Sequence, residues 1–318
     1  MIKLKVAVLD DYQNVAHHFA DWERLSENID LKVFNEYIGD DIYLSETLID
    51  FDVLCLMRER TPLPGTLINK LPNLKLVITS GMWNASVDSE TLKKKNIIYC
   101  GTETKIHSTA ELAWALIMNS WRGLQTEIQN MKDGNWQTTI GRGLKGNTLG
   151  IFGLGKQGLQ VASYAKAFGM KVIAWSHNLK EEDCEKLGVE YVSSTDLFKM
   201  SDILTIHTRL SDRTLGYIDK NNLKLMKKGS VIVNTSRGPI IKEQDLIKAL
   251  NNNIISCAAL DVYDKEPLPR DHILRKTRNL ILTPHIGYVS EEAYEKFFNG
   301  YLKAIEAFLD QNPINQIS

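Results

Sequence analysis

The residues best suited to chemistry begin with Gly153-Leu154-Gly155-Lys156-Gln157-Gly158, a G-x-G-x-x-G pattern directly after an apolar run (149–152) and before a helix-like stretch (159–168). Gly153 permits a tight turn, Gly155 lets main chain approach a pyrophosphate, and Gly158 lets the helix sit close to the strand. The amides of Lys156 and Gln157 then open a helix N-terminus, where a phosphate meets donors and partial positive charge. The pattern implies a dinucleotide. Three further segments each end an apolar run with polar residues: Asn234-Thr235-Ser236-Arg237-Gly238, Asp261-Val262-Tyr263-Asp264-Lys265-Glu266-Pro267, and Thr283-Pro284-His285-Ile286-Gly287. Ligands bind at that edge of parallel sheets.

The elements that must position these groups alternate along the chain. Short β-branched runs at 4–9, 31–34, 53–57, 74–79 and 97–99 form one series, and runs at 149–152, 171–175, 203–207, 230–234, 255–262 and 280–282 form a second. Amphipathic stretches separate them, the pattern of a doubly wound α/β fold. Two series predict two parallel-sheet domains, a Rossmann-type nucleotide domain and a flavodoxin-like substrate domain, with a cleft between them. Ser108 and Glu111 have capping-box spacing at the head of a long helix running to Trp136. A second helix begins near Ser290 with Tyr294, Phe297, Phe298, Tyr301, Leu302, Ile305 and Phe308 at helical spacing, an aromatic stripe best read as core. If it packs back on the first sheet, the substrate domain is 1–100 plus 288–318 and the nucleotide domain is 101–287.

Composition narrows the class. At 318 residues, 43% hydrophobic and 24% charged, the chain has the make-up of a soluble globular protein. Its 38 Lys+Arg against 39 Asp+Glu argue against nucleic acid or an anionic membrane as the main partner. The four cysteines are scattered without a C-x-x-C, which suits a reduced cytoplasmic setting. No apolar run is long enough for a signal peptide or a membrane span. No His, Cys or carboxylate pair has metal-ligand spacing, so no metal is expected.

The position after the run 171–175 bears on the choice of cofactor. An NAD-selective site places Asp or Glu there for the adenosine ribose. Here Ser176 and His177 occupy it, with Asn178 and Lys180 following. The absence of an acid makes NADP compatible; equally, Ser176 or Asn178 could bond the ribose hydroxyls of NAD. No Arg in this stretch stands ready for a phosphate, and NAD and NADP both stay open.

The ordered set of these motifs resembles the D-isomer-specific 2-hydroxyacid dehydrogenase family over nearly the whole chain. The resemblance implies that Arg237 binds the carboxylate and carbonyl of a 2-oxo acid, to which a guanidinium fork is suited. It implies that His285 is the acid for reduction and the base for oxidation, and that Glu266 orients the imidazole and favours its protonated form. Asp261 would hold the carboxamide end of a nicotinamide, and Thr208, Arg209, Thr235, Ser236 and Gly287 fall on positions along the cofactor. In relatives the segment around Arg58 lies over the substrate, and the segment Gly81-Met82-Trp83 offers amides to its carboxylate. Trp83 stands where the family commonly has glycine, which would narrow the pocket or redirect the loop. The chain ends at Ser318, which leaves no room for the regulatory domain of many phosphoglycerate dehydrogenases. Relatives are commonly dimers through the nucleotide domain, so a homodimer is expected, with the stretch from Ser108 to Trp136 as an arm. Rival readings fit less well. Formate dehydrogenases pair the histidine with Gln rather than Glu266, a methyltransferase explains only the glycines, and a corepressor-like cofactor-sensing scaffold would keep the motifs without turning over 2-oxo acids.

Overall fold

The computed structural model describes residues 3–39, 41–103 and 107–317. The chain divides into two compact units, Met1–Ile106 with Val289–Ser318, and His107–Tyr288. In the first unit, strands β1 (Leu4–Val8), β2 (Ile29–Val33), β3 (Val53–Leu56), β4 (Leu76–Thr79) and β5 (Ile98–Gly101) form a parallel sheet in the order β2-β1-β3-β4-β5. Every residue of β3 and β4 is buried, as in a sheet covered on both faces. Apolar character accordingly runs through β3 and through β4 as far as Ile78 instead of alternating.

The helix Glu291–Leu309 returns to this first unit. Ser290 caps it by accepting from the Ala293 amide (3.4 Å), and its aromatic stripe is core, as the spacing suggests. Phe297, Phe298, Tyr301 and Ile305 are fully buried. Phe298 stacks on Phe19 (6.2 Å between centroids), and Tyr301 Oη donates to Leu56 O (2.9 Å).

The second unit carries β6 (Thr148–Phe152), β7 (Lys171–Trp175), β8 (Glu190–Tyr191), β9 (Ile203–Ile206), β10 (Val231–Asn234), β11 (Cys257–Leu260) and β12 (Leu280–Leu282), all parallel, in the order β12-β11-β10-β9-β6-β7-β8. Succession runs outward from β6 through β7 to β8, then restarts at β9 on the other side. The crevice beyond the carboxyl ends of β6 and β9 is thus the topological switch point, the binding edge of such sheets. β8 is an edge strand of two residues, too short for any hydropathy pattern to announce. β2 begins at Ile29, two residues before the apolar run that suggested it.

The expected single helix from Ser108 to Trp136 is instead two. Gly123 adopts φ 66°, ψ 28° and ends Ser108–Arg122; a second helix, Leu124–Lys132, follows it. The capping box is also absent. The cap position is His107, and Ser108 Oγ donates to Gly287 O (3.0 Å), joining the helix start to the 283–287 loop.

Candidate active site

The glycine loop folds as the spacing implies. Gly153 has φ 103°, and a Cβ there would lie 2.6 Å from the Thr208 amide nitrogen. A Cβ on Gly158 would lie 2.3 Å from Gly153 O, so only glycine lets the helix Lys156–Ala167 rise this close to β6. Beside Gly155 a Cβ would meet nothing within 4 Å. That open face, with Lys156 and Gln157 in the first helical turn, leaves main-chain amides ready for a phosphate. The cradle fits a dinucleotide.

Along the neighbouring strand ends, Asn234 at the close of β10 is buried and organises the turn that carries Arg237. Its Nδ2 donates to Arg237 O (2.9 Å), and its Oδ1 accepts from the Ser236 amide (3.0 Å). Arg237 Nη1 donates to Ser236 O (2.7 Å), while Ser236 Oγ donates to Thr208 O. Thr208, Thr235 and Ser236 are thereby brought to the end of β9 and β10 together, and Thr235 Oγ1 is buried with no hydrogen-bond partner among the described residues. At Gly238 a Cβ would come within 2.1 Å of Tyr263 C, so the Arg237 turn rests directly on the segment leading to Glu266.

Glu266 bridges that segment to the histidine. Its Oε1 accepts from the Tyr263 amide (2.8 Å), and its Oε2 lies 2.5 Å from His285 Nδ1. His285 Nε2 makes no hydrogen bond among the described residues, so one ring nitrogen is oriented and the other is presented. The imidazole meets Tyr288 edge-on at 5.4 Å. His285 itself sits at φ 52°, a left-handed conformation that a non-glycine residue holds at a cost of about 1–3 kcal/mol unless its surroundings impose it.

Asp261 imposes it. Buried at the end of β11, it accepts from Thr283 Oγ1 (2.6 Å) and the Ile286 amide (2.9 Å) on Oδ1 and from the Gly287 amide (2.9 Å) on Oδ2. Burial pushes its carboxyl above the usual range, against these hydrogen bonds. Both oxygens therefore hold the loop that carries His285, and Oδ2, with one donor, keeps accepting capacity. Asp261, the residue expected at a carboxamide, thus also positions the 283–287 loop.

In the family model described as D-isomer specific 2-hydroxyacid dehydrogenase, NAD binding domain, the match spans residues 114–287, more than half of the chain. The chain belongs to the D-isomer-specific 2-hydroxyacid dehydrogenase family. Similar proteins include a glyoxylate reductase of Aeropyrum pernix, 35% identical over 85% of this chain and 84% of its own length. A hydroxypyruvate reductase of Blautia hydrogenotrophica is 30% identical over 99% of this chain and 100% of its own. Among solved structures, a putative D-3-phosphoglycerate dehydrogenase from Ralstonia solanacearum superposes with a TM-score of 0.92 at 36% identity, covering 99% and 96% of the two chains. This dehydrogenase is accordingly an NAD(P)-dependent oxidoreductase acting on D-2-hydroxy acids and their 2-oxo partners.

The first unit of the dehydrogenase holds the remaining expected residues at the ends of β3 and β4. Arg58, at φ 53°, donates from its amide to Ser80 Oγ (2.7 Å) and from Nη1 to Ser80 O (2.8 Å), with Glu59 3.7 Å from Nη2. Asn84, unremarked in the sequence, is buried and locks the two segments together. Its Nδ2 donates to Arg58 O (2.7 Å) and Thr79 Oγ1 (3.0 Å). Gly81 departs from expectation. Its amide is already donated to buried Thr102 Oγ1 (2.9 Å), so it offers nothing to a substrate carboxylate. A Cβ on Gly101 would also collide with Gly81 O (2.5 Å) and crowd Met82 Sδ (2.9 Å), so the 81–83 turn packs tightly on β5. Met82 and Trp83 themselves are largely exposed, at 45% and 59%.

Among residues the sequence ranked low, His207 follows β9 partly buried, with Nε2 2.9 Å from Thr205 Oγ1 and a buried Nδ1 that has no hydrogen-bond partner among the described residues. Burial pushes its pKa down to about 4. His107 Nδ1 accepts from Gln160 Nε2 (2.7 Å). Among the described residues no three His, Cys, Asp or Glu side chains converge as a metal site.

Proposed function

We propose that Arg237, Glu266 and His285 carry reversible hydride transfer between a nicotinamide cofactor and a D-2-hydroxy acid, with His285 Nε2 as the proton donor during reduction. The observation behind this reading is the engagement of His285 Nδ1 by Glu266 at 2.5 Å, which leaves Nε2 presented from a loop locked by Asp261. A bound nicotinamide supplies the hydride. Arg237 binds the carboxylate of the 2-oxo acid through its guanidinium fork and draws charge from the carbonyl oxygen. His285 gives a proton to the oxygen on which negative charge develops, and takes it back in the reverse direction. Glu266 fixes the ring and supports positive charge on it. The cofactor lies along Gly153, Gly155, Lys156, Gln157 and Gly158, with Ser176, His177, Thr208, Thr235, Ser236 and Gly287 beside it. The unit His107–Tyr288 is the dinucleotide domain, and the unit holding Arg58, Met82 and Trp83 is the substrate domain.

Glyoxylate and hydroxypyruvate are the substrates of similar proteins, and small 2-oxo acids are the class proposed here. A panel of glyoxylate, hydroxypyruvate and bulkier aliphatic and aromatic 2-oxo acids, followed by loss of nicotinamide absorbance with NADH and NADPH, tests the reading. Oxidation of cofactor by at least one of them is expected. Cofactor binding without turnover of any 2-oxo acid would instead favour a sensing scaffold.

The enzyme is further proposed to be a cytoplasmic homodimer. Among the described residues no helix is long and apolar enough to cross a membrane. The stretch 124–140 exposes Leu124, Ile128, Met131, Trp136 and Ile140, the last at 98%. Ile140 lines a recess of about 300 Å³ together with Trp121, Thr126, Arg142 and Cys257. Apolar side chains clustered like this in one short stretch mark an interaction face, and a second copy is the partner the family makes available.

A further inference from the structure

We infer that the loop after β9 supplies the phosphate recognition that the end of β7 lacks. Arg213, with Ser176, His177 and Asn178, forms a site for the 2′-phosphate of a phosphorylated dinucleotide. The inference rests on the dinucleotide reading of the glycine loop and concerns which dinucleotide that loop takes.

The register places the relevant ends side by side, with Phe152 of β6 opposite both Trp175 of β7 and Ile206 of β9. What leaves β9 is then drawn over towards β7 by an aromatic stack. Tyr217 lies on Trp175 (5.4 Å, 21° between planes) and meets His177 edge-on (5.3 Å), while Phe152 stacks beneath Trp175 (5.4 Å). Tyr217 Oη is also 2.6 Å from Ser194 Oγ, which ties it to the helix Ser194–Met200. The stack carries Arg213 with it, and Arg213 Nη1 donates to Asn178 Oδ1 (3.2 Å). An arginine 35 positions from Asn178 thus stands where no arginine adjoins in sequence.

Charge and hydrogen bonding at this place favour a phosphate over a bare ribose. The position that would bond the 2′-hydroxyl through a carboxylate is Ser176, whose hydroxyl makes no hydrogen bond among the described residues. Asp212 precedes Arg213 yet forms no ion pair with it among the described residues, so the guanidinium has only a neutral amide as partner. Lys180 adds a positive charge and His177 a ring nitrogen in the segment that follows β7. An acid here would repel a 2′-phosphate, whereas a guanidinium fork with a hydroxyl and an amide beside it matches the phosphate oxygens.

Calorimetric titration of the cofactor-free protein with adenosine 2′,5′-bisphosphate and with 5′-AMP isolates the 2′-phosphate, because the two ligands differ in nothing else. The bisphosphate is expected to bind about tenfold tighter or more, as a charged hydrogen-bonded contact allows. Arg213→Ala should bring the two affinities together, and Ser176→Asp should make the bisphosphate the weaker ligand. Circular dichroism of each variant checks that it is folded. Equal or tighter binding of 5′-AMP by the wild type overturns the inference, as does an unchanged ratio in folded Arg213→Ala. Failure of both nucleotides to bind sinks the dinucleotide reading itself, and the inference with it.

Discussion

Among single residues, His285 and Arg237 are separable in what their loss should do. His285→Ala removes the presented Nε2 but leaves the glycine cradle intact, so turnover should fall by about 10²–10⁴-fold, the usual worth of a positioned acid–base group. Cofactor binding, followed by fluorescence quenching, should stay near wild type; unimpaired turnover would remove His285 from the mechanism. Arg237→Lys keeps the charge but loses the fork, and the apparent KM for a 2-oxo acid should rise by about ten- to a hundredfold. A KM within twofold of wild type would mean that the carboxylate is held elsewhere. His207 makes a prediction about stability. Its folded pKa is pushed down to about 4 from 6.5 by burial. The unfolded chain therefore takes up a proton between pH 6.5 and 4 that the folded one refuses, and stability falls as pH drops through that window. Asp10 and Asp261, pushed up by burial, act with the opposite sign at the acid end. Comparing urea midpoints of the wild type and His207→Gln across pH cancels those terms. The wild type should lose up to about 3 kcal/mol relative to the variant from pH 6.5 to 4; parallel curves would show that His207 is not held neutral.

The elements place these residues by close main-chain contact, and glycine substitutions read that contact out. Gly238→Ala puts a methyl 2.1 Å from Tyr263 C, so the Arg237 turn and the Glu266 segment must separate. No catalytic side chain is removed, yet catalysis should drop at least about tenfold, since a displacement near 1 Å is costly in a constellation of this kind. An alanine variant with wild-type kcat/KM would show that the two segments need not touch. Arg237, Glu266 and His285 were legible in the sequence because each follows an apolar run that becomes β10, β11 or β12. Asn234 and Asp261 act on those loops through hydrogen bonds to main chain two to twenty-six residues away, and pattern alone does not show such partners. Arg213 was invisible for a related reason. What brings it to Asn178 is the stacking of Tyr217 on Trp175, a contact between strand ends that are neighbours only in the folded sheet.

At the level of the whole molecule, the chain leaves its first unit after five strands, builds the second, and returns through one helix. Phe297, Phe298 and Tyr301 anchor that return, and Phe298→Ala should cost about 3–5 kcal/mol as a buried aromatic deletion, measured by denaturant titration. A second copy bound over the 124–140 stretch would bury the apolar side chains that stand exposed in the single chain. Ile140→Asp with Met131→Glu should then shift sedimentation from dimer to monomer without changing nucleotide affinity, and a monomeric wild type would dispose of the homodimer. The sequence by itself determined the two parallel sheets, the phosphate loop and the identity of the polar groups. Those follow from local rules: strand-length apolar runs, the spacing of the glycines between a strand and a helix, and side chains whose chemistry is the same in any fold. Only the tertiary structure decided that Gly81 gives its amide to Thr102, that Gly123 breaks the arm, that Asp261 holds the histidine loop and that Arg213 reaches the end of β7. Each of these depends on which segments pack together, and packing is settled by the whole sheet rather than by any stretch of chain.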